Sequence, residues 1–205
     1  MTYEDVIGKL SRGTSDAVAR LWSAVEAGNI PMDMFESAAA DLILTANARG
    51  VAAADASLRA YIEAETGVPE VARPGVVRTD PGRLQKALTT ILATDGDVLM
   101  RLQRLAANEP IEAASRAFGD AIRSNTKVKG WRRGLELKPC QLCIWWWRED
   151  RVWPDTHPMP RHTGCVCHPV PVISTNVKRL SYEKHSGGYE RYRAGLDRRA
   201  ENNRR

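Results

Sequence analysis

Residues 138–147 read KPCQLCIWWW, and residues 164–167 read GCVC. Together these two stretches hold all four cysteines of a 205-residue chain. A two-residue spacer lets both sulfurs of a tight turn face one ion, so Cys140 and Cys143 form a candidate metal knuckle. Cys165 and Cys167 form the second pair, with His162 three residues before it and His168 directly after. The 21 residues between Cys143 and Cys165 are enough for a hairpin and close to a zinc-ribbon loop. Four ligands complete a tetrahedral structural zinc site. The leading set is Cys140, Cys143, Cys165 and Cys167; a close second exchanges one of the latter pair for His162. The alternatives are reduced cysteines without metal, or a disulfide.

Around this cluster the chain reads as β-rich. NTKVKGWRRGLELK, at 125–138, is basic and strand-prone. Residues 144–147, the REDR turn and Val152 with Trp153 suggest a short β-hairpin. On a strand, Trp145 and Trp147 would share one face and Trp146 would take the other. The PDTHPMPRHTG loop and a strand-like VPVIS follow. A module of about 45 residues buries too little to hold itself, so a metal and large apolar side chains would both be needed. Stacking of the tryptophans on bases is the sharper alternative.

The first 126 residues carry helical periodicity instead. Val6, Ile7, Leu10, Val18, Leu21, Trp22 and Val25 define one helix, ended by Gly28 and Pro31. A second starts at Asp33 and runs through the alanine-rich stretch to Tyr61 and Ile62. Residues 68–83, with three prolines, form a loop or hinge. A third pattern runs from Arg83 to Leu105, with Gly96 as its weak point. Pro110 then suits the first turn of a fourth helix. Apolar stripes at this spacing are packing surfaces and carry no chemistry.

The expected fold class is α+β: a mainly helical N-terminal region (1–126), a small zinc-stapled β-hairpin module (127–174) and a basic C-terminal tail (175–205), partly helical or disordered. Charge follows the same division. Lys and Arg against Asp and Glu number 13 to 17 over residues 1–126, 8 to 4 over 127–172 and 9 to 4 over 173–205. A basic C-terminal part favours a polyanionic partner, and DNA is the first candidate for the tail; a solvated tail is the plain alternative. MTYEDVIGKL lacks the basic and apolar regions of a secretory signal, and no apolar run reaches membrane-spanning length. A reducing compartment, no membrane and metal-binding rather than disulfide-bonded cysteines are therefore expected.

Catalytic zinc fits poorly. Pro139 to Cys143 matches the P-C-x-x-C half of a zinc deaminase, but the first histidine, His157, comes after it, so the upstream H-x-E is missing. There is no H-E-x-x-H, no G-x-S-x-G and no phosphate-binding glycine loop. A nuclease would need a histidine centre drawn from His157, His162 and His168. The expectation is no enzyme and no small-molecule substrate.

The order C-x2-C, an aromatic stretch and then PMPRHTGCVCHPVPV resembles the C-terminal motif of the Mu F-like phage head morphogenesis (minor head or minor capsid) proteins, in the form found in phages of actinobacteria. Cys140, Cys143, Pro158, Met159, His162, Gly164, Cys165, Cys167, Pro169 and Pro171 carry the likeness, which covers about residues 127–172. The resemblance implies a virion component inside the head, assembled in the host cytoplasm in association with portal and capsid proteins. A zinc-ribbon nucleic-acid-binding protein is the alternative reading, but no recognition helix stands out.

Overall fold

A computed structural model describes residues 2–71, 80–173 and 194. The basic tail expected at 175–205 lies outside these residues apart from Ala194, as do residues 72–79 of the loop. The described chain is mainly helical, with a small three-stranded antiparallel sheet. It divides into two compact units: Met1–Ala121 with Arg161–Val166, and Ile122–Pro160 with Cys167–Arg205.

In the first unit, helix α1 spans Tyr3–Glu26 and helix α2 Met32–Thr66. Thr2 starts α1 with a capping box: its hydroxyl accepts from Asp5 N, and the Asp5 carboxylate accepts from Thr2 N. Helix α2 runs unbroken through the alanine-rich stretch, as its pattern suggests. Helices α3 (Pro81–Leu92) and α4 (Val98–Ser124) follow. Asp80 caps α3 with Pro81 in its first turn, so the expected loop ends before residue 83.

The pattern expected over 83–105 is split around Gly96, which has φ 113. Asp97 accepts Met100 N at 2.8 Å to open α4, and the Arg101 guanidinium donates to the carbonyls of Thr94 and Asp95. Pro110 does not begin a helix; it lies inside α4. An interior proline removes one backbone hydrogen bond and costs about 3 kcal/mol. Here Ile111, Ala114, Ala117 and Phe118 are all buried, and their packing outweighs that cost. Gly50 of α2 lets the two backbones approach, since a Cβ there would meet the Pro110 carbonyl oxygen at 2.7 Å.

The core of this unit joins Val18 of α1, Phe35, Ala39 and Ile43 of α2, Leu84 and Leu88 of α3, and Leu102 and Ala106 of α4. Trp22 meets Phe35 edge-on with centroids 5.4 Å apart. Glu109 is buried, where Arg83 bonds its carboxylate at 2.6 Å, and that ion pair holds the Arg83 pKa above its ordinary value.

Tyr3 packs edge-on against Phe118 at 5.3 Å. Burial, then Glu4, push its hydroxyl pKa well above the usual tyrosine range, and Arg161 pulls it back only in part. The raised pKa belongs to the folded state. As pH rises past about 10, the unfolded chain releases a proton that the folded chain keeps, so stability falls, by up to about 1.4 kcal/mol per pH unit. Tyr3→Phe should flatten the fall in stability above about pH 10, measured by denaturant unfolding. An unchanged slope would contradict this.

In the second unit, strand β1 (Gly130–Gly134) is central, flanked by β2 (Trp153–Pro154) and β3 (His168–Val172). Both pairings are antiparallel, Trp131 opposite Trp153 and Gly134 opposite His168. Residues two apart share a strand face, and Trp131, Arg133 and Leu135 are all buried. The hairpin expected from 144–147 is not formed. Residues Gln141–Trp147 are a helix, α5. Arg148, Glu149 and Asp150 then take positive φ, and Trp153 pairs with β1 instead.

The tryptophans consequently do not alternate as on a strand. Trp147 is buried at 4% exposure with Cys143, one helical turn earlier, whereas Trp145 is 63% exposed. Trp146 takes the Arg133 guanidinium over its ring at 5.2 Å. Trp153 stacks on His157 at 4.5 Å, and Trp131 Nε1 donates to the His157 carbonyl at 2.8 Å.

Candidate metal centre

Pro139 cannot continue a helix backwards, and Cys140 takes an extended conformation that opens α5, with its carbonyl accepting from Ile144 N at 3.1 Å. Cys140 and Cys143 therefore stand at the cap and in the first turn, three residues apart on one side of the helix. His162 to Cys165 form a turn closed by Cys165 N donating to the His162 carbonyl at 3.2 Å. Its third residue, Gly164, has φ 79, the conformation a type II turn reserves for glycine. The first unit's own helix α4 holds this turn: Gly164 N donates to the Asn108 side chain at 2.9 Å, and Arg161 pairs with Glu112 at 3.0 Å.

Cys167 lies just before β3, and its sulfur accepts from Glu136 N at 3.5 Å. The same sulfur also faces the Glu136 carboxylate, with Sγ 4.0 Å from Oε1. Cys143, Cys165 and Cys167 are buried and Cys140 is exposed. The ligand atoms of Cys143, Cys165 and Cys167 lie within 4.8 Å of one another, and so do those of Cys140, Cys143 and His162. Either group could hold a metal ion, and Cys143 belongs to both. At tetrahedral geometry with metal–sulfur bonds of about 2.3 Å, neighbouring sulfurs stand about 3.8 Å apart, so these separations need only a small contraction.

No family model, curated protein or solved structure matches this chain.

All five residues singled out by spacing thus fall into these two groups, and His168 into neither. His162 Nδ1 lies 3.1 Å from the Thr163 carbonyl oxygen. A carbonyl only accepts, so Nδ1 is the donor in this contact, which leaves Nε2 as the ring nitrogen that could bind a metal.

Sequence reasoning missed Arg133. It is 1% exposed; Nη1 donates toward Cys143 Sγ at 3.9 Å and Nη2 to the Pro160 carbonyl. Arg132 and Arg133 look like paired surface charges in WRRGL. Period-two reading of Trp131, Arg133 and Leu135 is the signal that places the second arginine inside.

Proposed function

We propose that this chain is a non-enzymatic minor head protein of a tailed phage, in which a structural zinc staples a small β-containing module. The observation that carries the reading is the sulfur cluster: three buried cysteine sulfurs gathered with Cys140 and His162 around a common member, Cys143. Thiolates with an imidazole select zinc among common divalent ions, and tetrahedral coordination is the usual arrangement. Cys140, Cys143, Cys165 and Cys167 are the proposed ligands, with His162 able to replace one of them.

Four protein ligands leave no open position for a substrate or an activated water, so the metal's contribution is folding free energy and not chemistry. The head-protein assignment rests on the ordered motif from Cys140 to Pro171 and its likeness to the Mu F-like family. In that reading the partners are portal and capsid proteins, the basic tail is available to packaged DNA, and the place of action is the assembling head in the host cytoplasm and later the virion interior. Among the described residues no helix is long and apolar enough to cross a membrane.

The test is co-expression with the portal protein of the phage that encodes the chain, followed by affinity purification and mass spectrometry of purified virions. Copurification with portal, together with presence in DNA-filled heads, is the expected result. Absence from virions, with salt-sensitive binding to duplex DNA by the isolated chain, would favour the nucleic-acid-binding alternative.

A further inference from the structure

We propose that the buried Arg133 guanidinium is the counter-ion of the metal–thiolate centre, a positioning residue that fixes Cys143 and offsets the negative charge of the ligand set. The inference rests on the proposed metal site and adds a residue that ligand spacing does not reveal.

An arginine stays charged at any pH a protein meets, and moving such an ion into the interior costs several kcal/mol unless an anion and hydrogen bonds offset it. Arg133 is 1% exposed on the inner face of β1. Among the described residues, no carboxylate pairs with it, and its Nε has no hydrogen-bond partner. Its polar contacts are the Pro160 carbonyl and Cys143 Sγ, and the Trp146 ring lies 5.2 Å from its central carbon. The carbonyl and the ring supply partial charges only. The Cys143 sulfur is therefore the one contact that can carry a full negative charge.

A neutral thiol is a weak acceptor and would leave the cation uncompensated. Zinc with four thiolates carries a net charge of about −2, and with three thiolates and an imidazole about −1, from the ligand charges. Either complex needs positive charge nearby when buried, and Arg133 provides one unit at the sulfur common to both ligand groups. The Arg133 bond to the Pro160 carbonyl also anchors the first residue of the PRHTGCVC stretch. The same side chain thus holds Cys143 and the approach to the second cysteine pair.

The experiment uses the full chain as wild type, Arg133→Met and Arg133→Lys. Zinc affinity is read by competition with a chromogenic chelator, and the unfolding of chelator-stripped protein by denaturant. Arg133→Met should weaken zinc binding by about 10- to 100-fold, the range found when partners of metal ligands are removed. Arg133→Lys should recover a substantial part of that loss because it keeps the charge. Stripped Arg133→Met should be at least as stable as the stripped wild type, since it no longer buries an uncompensated cation.

Wild-type zinc affinity in Arg133→Met would overturn the proposal, as would equal losses in the two variants. A stripped Arg133→Met protein destabilised as much as the zinc-loaded one would reduce Arg133 to packing and overturn it too. If Arg133→Met fails to fold with zinc while Arg133→Lys folds, the charge requirement stands; failure of both overturns it. Wild-type protein that takes up no zinc defeats the metal site itself, which is a different outcome from a zinc-loaded wild type indifferent to Arg133.

Discussion

Cys143→Ser is expected to abolish tight metal binding, with a loss larger than the roughly 10- to 100-fold that follows removal of an outer-shell partner. Cys143 is the residue common to both ligand groups, so its loss leaves each with only two members. Its sulfur is also fully buried and receives the Arg133 hydrogen bond, so a serine there would face a buried cation without the anion that offsets it. Because metal binding in small modules is folding free energy, the second unit should lose its packed structure.

Five of the six tryptophans, all but Trp22, lie in that unit, so tryptophan fluorescence and near-ultraviolet dichroism report on it. The far-ultraviolet helical signal reports mainly on α1 to α4. Collapse of the tryptophan signals with most of the helical signal retained is the expected outcome. Cys140→Ser provides the graded control: Cys140 is exposed and belongs to one group only, so its effect should be smaller. Equal effects of the two substitutions, or wild-type affinity in Cys143→Ser, would contradict the arrangement.

The second large effect lies far from the thiols in sequence. Phe35 is fully buried where α1, α2, α3 and α4 contribute to one cluster, with Trp22 edge-on against it. Phe35→Ala removes the ring and leaves a cavity, and such changes cost about 3–5 kcal/mol. That is a large share of the roughly 5–15 kcal/mol that holds a domain folded, so the midpoint of helical melting should drop by roughly 10–20 °C. Met34, its neighbour in the chain, is 59% exposed. Met34→Ala should shift stability by less than about 0.5 kcal/mol. Comparable melting shifts for the two variants would mean the cluster is not the core of this unit.

The first two helices were legible because their apolar stripes recur at helical spacing, whereas the single pattern read over 83–105 is divided between α3 and α4. The proline at 110 was misleading because local propensity says nothing of the partner surface. Ile111, Ala114 and Phe118 bury enough area to carry the helix through it. The candidate metal groups were legible because spacing encodes a turn, and Cys140, Cys143, Cys165, Cys167 and His162 all enter the two groups that could hold an ion.

What spacing could not tell was the conformation after Cys143. Three tryptophans are β-prone, yet a cysteine pair two residues apart is satisfied by a first helical turn, and that turn continues to Trp147. Arg133 escaped for a related reason: a charge is read as exposed unless its strand neighbours are seen to face inward.

The most direct test of the account is the metal content of the folded chain. Purified protein, washed with a weak chelator and analysed by native mass spectrometry alongside elemental analysis, should carry one zinc per chain. Stripping it with a strong chelator should expose four reactive thiols and disrupt the second unit. Protein that is free of metal, keeps its native tryptophan signals and unfolds at the same denaturant concentration with or without added zinc would contradict the account.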